Sequence, residues 1–497
     1  MDATADGPAR VPSPAGGTRA VLDGTTLDVG TLVRLADGAA DAVVPVLPAE
    51  ARVRAERSWH TGRRLAATGR LYGRGTGVGA HRSVPVTTDD ERRHGLRLLR
   101  SHAGGAGALL PARQVRAMLA VRANQLLAGG SGIQPAFVDA LVAALRLGVH
   151  PAVNEYGGLG TADLTALAQT GLTLIGESPW LGDLGQGLPT PVTPEPGDTL
   201  ALLSSNALTL GQAALACHGL DVLLRASHAV TALSLVAVSG SPEAYAAPVH
   251  ALRPYPGPAR AAAEIRRLLD RVPPAPRRIQ DPFGFRAFPQ AHGCALDAAD
   301  ALRRIVEVEI NCPSENPLMA PDGTAAYHHG GFYAAPLGLA LDGLNLAVLQ
   351  TAQLSVARLA ALGRSDLTGL PPYLTAGPAS SSGTMILEYT ANSALADLRS
   401  CATPASAGHA VVSQGLEEAA SFASQAARQT LRATAAYGTV LACELVTAVR
   451  AVRMLAAPPN LAPFTLAAAA LPSGTEDRPL AGDVTAATEL LPALAEL

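Results

Sequence analysis

The chain contains no lysine: all 38 of its basic side chains are arginine. That excludes a lysine Schiff base and a P-loop lysine, chemistries for which a guanidinium is no substitute. Cysteine is scarce as well. The five thiols, Cys217, Cys294, Cys312, Cys401 and Cys443, contain no CxxC pair. Odd in number and widely spaced, they point to reduced, buried thiols in a cytoplasmic protein, not to a disulfide framework. Charge is sparse, at 16% of residues, and the net charge is -3. With no basic stripe, nucleic acid is not an expected partner. Long unbroken apolar runs are missing too. The stretch 333–362 is interrupted by Asp342, Asn345, Gln350, Gln353 and Arg358. That suits a helix of a soluble bundle better than a membrane span. The N-terminus is acidic and then rich in proline and glycine, without the basic and apolar regions of a secretory signal.

What is present is ample material for a core: 497 residues, 48% of them hydrophobic. Residues 1–20 read as a disordered tail, 21–205 as an N-terminal domain, 206–470 as a central long-helix bundle and 471–497 as a C-terminal tail. Apolar residues spaced near the helical period of about 3.6 predict helices around Val115–Val121 and Leu141–Leu145. Asp163 reads as the N-cap of a helix over Leu164–Thr173. The Pro/Gly-rich stretch 178–198 reads as an exposed connection. The segment 417–456 has no proline and one glycine, Gly438. As a single helix it would span roughly 60 Å at about 1.5 Å per residue. So long a helix needs neighbours along its whole length, which favours an all-α bundle and an oligomer.

Several segments carry residues suited to chemistry. Tyr72-Gly73-Arg74-Gly75-Thr76-Gly77-Val78-Gly79 is either a mobile loop or a phosphate cradle, and it lacks the Lys-Ser/Thr ending of the latter. A phenol of ordinary pKa, about 10, is a poor base at neutral pH unless a positive charge or helix N-terminus lies near it. His102, in Ser101-His102-Ala103-Gly104, is a core histidine or a ligand contact. Arg286, closing Gln280-Asp281-Pro282-Phe283-Gly284-Phe285-Arg286, is a structural ion pair or a fork for a carboxylate. Glu417 and Glu418 read as carboxylates at a helix N-terminus, where the helix dipole favours them. The adjacent His328-His329 have no Cys, Asp or Glu cluster beside them, so no metal is expected.

Taken in order, these segments resemble the aromatic amino acid ammonia-lyase family, that of the histidine and phenylalanine ammonia-lyases, over about residues 70–455. Asn154-Glu155-Tyr156-Gly157-Gly158-Leu159-Gly160-Thr161-Ala162-Asp163-Leu164 is similar to that family's active-site loop. Glu309-Ile310-Asn311-Cys312-Pro313-Ser314-Glu315-Asn316-Pro317-Leu318 is similar to its Glu-Ile-Asn-x-x-x-Asp-Asn-Pro-Leu. The resemblance implies an all-α ammonia-lyase-like fold around a central long-helix bundle, and a homotetramer. It implies Tyr72 as general base on a lid loop and Glu417 facing the substrate amine. It places Arg286 and Asn316 on the substrate carboxylate, His102 on the substrate side chain, Phe332 as an aromatic wall, and Phe283 and Asn206 beside them.

The family's loop carries Ala-Ser-Gly, which cyclises to the electrophile 4-methylidene-imidazol-5-one. Here only Thr161-Ala162 stand between Gly160 and Asp163. The loop is one residue short and has no serine to dehydrate. Ser204 replaces the asparagine that supports the group, and Phe283 replaces the tyrosine beside it. No cofactor is therefore expected. The implied function is a lyase that works without the prosthetic group, as ergothionase-like relatives do. It would eliminate an amine or other leaving group from an aromatic or imidazole-bearing amino acid derivative. A cyclase or isomerase using the same base, or a silent homologue that binds a ligand or partner, are the alternatives.

Overall fold

A computed structural model of the protein describes residues 18–38, 43–69, 71–270, 272 and 276–497. Residues 1–17 of the expected tail lie outside these. Its last three, Thr18–Ala20, are not tail: they belong to the strand Thr18–Val21, paired in parallel with Val43–Val46. The chain forms two compact units. One holds the residues up to Gly157, with Leu164–Ala207 and Ile310–His329; the other holds Gly158–Asp163, Leu208–Glu309 and Gly330–Leu497. The boundary expected at 205/206 thus falls close to a change of unit, but two short pieces change sides. The loop Gly158–Asp163 belongs with the long helices, and 310–329 belongs with the N-terminal residues.

The first unit is built on the helix Ala112–Leu127, which packs against Val29–Asp37 and Pro135–Leu147. From Ala117 to Leu127 every residue is buried, including Arg122, Asn124 and Gln125. Polar groups survive there only when paired. Arg122 donates to Glu315 Oε1 at 2.8 Å and to the carbonyls of Ala201 and Leu202. Burial pulls its guanidinium below the usual arginine range, and Glu315 opposes that. Asn124 accepts from Gly24 N–H and donates to Ile310 O, both at 2.8 Å. These bonds fix the segment that carries Asn316.

The second unit is the helix bundle. Ala335–Leu362 packs on Phe288–Glu309, Met385–Cys401 and Ala423–Arg453. Ala207–Ala237 approaches Ala423–Arg453 closely at glycines. A Cβ at Gly219 would sit 3.0 Å from Thr434, and one at Gly438 would sit 3.8 Å from Leu223. A buried ion pair crosslinks three of these helices. Arg358 donates to Glu444 at 2.7 and 2.9 Å, and Ser234 and Ser355 add their hydroxyls to the same carboxylate. Both charged side chains are 0% exposed. Ala423–Arg453 is apolar and long enough to cross a membrane, yet 83% of its most apolar window is buried inside the protein.

The long helix is shorter than the segment 417–456. It starts at Ala423, at about 46 Å for 31 residues, because Phe422 turns left-handed (φ 53°) and Val412 pairs with Glu417 ahead of it. The expected C-terminal tail contains a helix, Ala481–Ala495, packed against the same long helix. Among the described residues the strands form only two-stranded sheets, so the fold is all-α in substance.

Candidate active site

In the second unit, the degenerate loop is strapped to residues 421–425. Phe422 N–H donates to Leu159 O at 2.9 Å, Ser421 Oγ to Gly160 O at 2.7 Å, and Gln425 Nε2 to Gly158 O at 2.9 Å. Asp163 anchors the far end. Its carboxylate accepts from Thr209 N–H at 2.8 Å and Oγ1 at 2.9 Å, and from Ser424 Oγ at 3.3 Å. It therefore ties the loop to the bundle, at the residue just ahead of the helix Leu164–Leu174. Burial pushes this carboxyl above the usual carboxylate range, while Thr209 and Ser424 pull it back.

Between these straps Thr161 Oγ1 donates to Glu417 Oε2 at 3.3 Å, and Ser413 Oγ reaches Glu417 Oε1 at 3.4 Å. Glu417 is not on a helix, so the reading of Glu417 and Glu418 as N-terminal helix carboxylates fails. Glu417 lies on a tight hairpin closed by Val412 N–H to Glu417 O at 2.9 Å. Ser413 and Gln414 take φ of 52° and 56° to make that turn. Each non-glycine left-handed residue costs on the order of 1 kcal/mol or more. Ala162, at φ 83°, is a third such residue beside Thr161.

Arg286 and Phe283 share the short helix Phe283–Arg286. Its backbone is held from below: Tyr245 Oη donates to Phe285 O at 2.6 Å and Arg358 Nη1 to Gly284 O at 3.0 Å. The Arg286 guanidinium stacks 4.0 Å above the Phe283 ring. Its Nε donates to Asp281 O at 3.0 Å; among the described residues its two terminal nitrogens make no hydrogen bond. Both residues line an open cavity of about 530 Å³ with Gln280, Glu243 and Gln290. Neither the 158–163 loop nor the 413–425 segment contributes to that cavity, so within this unit Arg286 and Glu417 belong to separate places. Phe332 is half-buried.

In the first unit, Tyr72 sits on a turn fixed by bonds between Leu71 and Arg74. Arg74 is buried and donates to Gly132 O at 2.6 Å and Pro196 O at 3.1 Å, so the base of the loop is anchored. Gly79 N–H donates to Tyr72 Oη at 2.7 Å, from the first residue of the short turn Gly79–His81. Tyr72 N–H donates in turn to His328 Nε2 at 3.3 Å. Asn316 Oδ1 accepts from His329 N–H at 3.0 Å, which directs its amide NH2 elsewhere. His102 Nδ1 lies 3.0 Å from Leu98 O and 3.1 Å from Ser101 Oγ. Asn206 is buried.

The sequence model of the family described as aromatic amino acid lyase matches residues 27–472. The chain belongs to that family. It is 35% identical over 466 residues to a histidine ammonia-lyase of Symbiobacterium thermophilum, covering 90% of this chain and 92% of that one. Its structure is similar to that of a tyrosine aminomutase from Streptomyces globisporus, with a TM-score of 0.89 and 26% identity over 96% of this chain and 97% of that one. The ergothionase of Treponema denticola, solved with desmethyl-ergothioneine sulfonic acid, shares the fold at a TM-score of 0.87 and 23% identity, over 96% and 99%. As a member of the family, the protein is a lyase in its coarse class.

The family's prosthetic group does not fit the residues here. A methylidene needs a serine, and the residue available is Thr161, whose β-carbon carries a methyl and whose hydroxyl is bonded to Glu417. Ser204 offers no side-chain amide, and its hydroxyl turns back onto Leu200 O at 2.9 Å. Phe283 has no hydroxyl. The sequence reading missed Ser421, Gln425 and Ser413, which hold the loop and Glu417, and it missed His328. Serine and glutamine on a loop carry no periodic signal, and nothing local links His328 to Tyr72.

Proposed function

We propose that the protein is a carbon–nitrogen lyase independent of the methylidene-imidazolone group, acting on an aromatic or imidazole-bearing amino acid derivative. One observation carries the reading: the electrophile's loop is reduced to Thr161 bonded to Glu417, while the residues that the family resemblance makes base and carboxylate contacts, Tyr72, Arg286 and Asn316, are retained. Without an electrophile, elimination needs a better leaving group or a more acidic β-proton. A quaternary trimethylammonium leaves as a neutral amine and takes the Cα–N electron pair with it. The β-proton passes to Tyr72 Oη, and the product is an α,β-unsaturated acid. The Gly79 N–H at that oxygen is a donor suited to the charged phenolate. His102, a half-buried imidazole, suits a substrate whose ring or tail carries a polar group.

The reading includes a cytoplasmic homotetramer in which Arg286 completes a site with residues of another subunit. Its support is that Phe283 and Ile279, beside Arg286, are 63% and 95% exposed in the single chain, an unusual setting for apolar side chains at a binding group. The likeness to a tyrosine aminomutase favours a second reading, an isomerisation or cyclisation begun by the same base. The test is a mass-spectrometric screen of the purified protein against amino acids and their trimethylammonium betaines. Loss of amine supports the lyase, an isobaric product supports the second reading, and no conversion of any compound contradicts both.

A further inference from the structure

The 158–163 loop is bound on both sides of one residue, through its backbone carbonyls before it and through the Asp163 carboxylate after it. Leu159 O and Gly160 O accept from Phe422 N–H and Ser421 Oγ, and Asp163 is held by Thr209 and Ser424. Gly160 O also accepts from Ala334 N–H at 3.3 Å. Thr161 is the residue left with its side chain free to do something else, and its hydroxyl goes to Glu417 Oε2. The other oxygen of the same carboxylate takes the hydroxyl of Ser413, from the left-handed turn of the Val412–Glu417 hairpin. Glu417 is thus gripped by one hydroxyl on each oxygen, both half-buried, and by a backbone pinned through its bridge to Val412.

We propose that Thr161 and Ser413 are positioning residues. In place of a reactive group, the shortened loop supplies a fixed hydroxyl that, with Ser413, sets the rotamer of Glu417 and aims its carboxylate at the amine of an amino acid substrate. The inference rests on the amino acid reading above, with Glu417 as the group that meets the amine. Both hydroxyls act only as donors to the carboxylate, so its remaining lone pairs stay available to a cationic nitrogen. Threonine suits this better than serine, because its branched β-carbon restricts χ1. The left-handed Ala162 then turns the chain towards Asp163.

The test uses calorimetric titration of the full-length protein with two probes, L-histidine and its des-amino analogue imidazole-propionate. Parent, Thr161→Val, Thr161→Ser, Ser413→Ala and Glu417→Gln proteins are compared. The parent is expected to bind the amine-bearing probe at least tenfold more tightly. Thr161→Val, nearly the same shape without the hydroxyl, should lose most of that preference while its affinity for imidazole-propionate stays within about twofold. Thr161→Ser should restore the preference, Ser413→Ala should weaken it, and Glu417→Gln should abolish it. A purely structural role for Thr161 would lower both affinities together and overturn the inference. So would a Thr161→Val protein with the parent's preference. If the parent binds neither probe, the amino acid reading itself fails first.

Discussion

Replacing Glu444 by glutamine should destabilise the protein by about 3–5 kcal/mol, the range for breaking a buried ion pair from one side. The structure shows why the change is harsh although the shape is kept. Oε1 accepts from Arg358 Nε and Ser234, and Oε2 from Arg358 Nη2 and Ser355, four bonds in all. Glutamine keeps one acceptor oxygen and turns an NH2 towards two donors. Arg358 is then a buried charge with no counter-charge, at a position 0% exposed where water cannot replace the lost bonds. The double variant Arg358→Met, Glu444→Leu removes both charges. It should lie closer to the parent than the single variant does, less about 1 kcal/mol for the donor lost at Gly284 O. Equilibrium urea unfolding measures all three. Glu444→Gln within about 1 kcal/mol of the parent would refute the reasoning, because the pair would then not be desolvated in the way the structure describes.

Tyr72→Phe should lower kcat on any compound found in the screen by roughly 10²–10⁴-fold, the usual range for a positioned base. Its urea midpoint should move little, since one bond to Gly79 N–H is lost; a variant at the parent rate removes Tyr72 as base. Arg286→Lys should weaken binding of a carboxylate ligand by about 1–3 kcal/mol. Its calorimetric affinity for acid and methyl ester should converge, and an equal preference in parent and variant would contradict the assignment. Burial lowers His228 from 6.5 to about 4, so it stays neutral in the folded protein while the unfolded chain takes up a proton below pH 6.5. The stability it contributes is complete above that pH and is lost as pH falls towards 4, by about 2 kcal/mol at pH 5. Urea midpoints at pH 7.5 and 5 should therefore fall further apart in the parent than in His228→Gln; equal drops would exclude His228.

The bundle and its family were legible because motif order and helical periodicity extend over hundreds of residues. What the sequence hid depends on contacts between distant segments. Asp163 precedes a helix as its N-cap chemistry suggests, but nothing local in the sequence points to Thr209 and Ser424 as partners of its carboxylate. Glu417 looked helical because nothing in 417–422 forbids a helix. The left-handed Phe422 and the bridge to Val412 decide otherwise. Arg122 is buried against Glu315, a partner 193 residues away in the sequence. The residues that meet at Glu417 come from 161, 413 and 417, and no local pattern joins the first to the others.

The central claim is that Thr161 stays a threonine and no imidazolone forms. Intact-mass spectrometry of the purified protein tests it most directly. The account predicts the mass of the full sequence, less the initiator methionine where that is removed, with no near-ultraviolet absorption beyond that of tyrosine and tryptophan. A mass lower by two water molecules, localised by peptide mapping to Gly160–Ala162 and accompanied by a new absorption band, would contradict it.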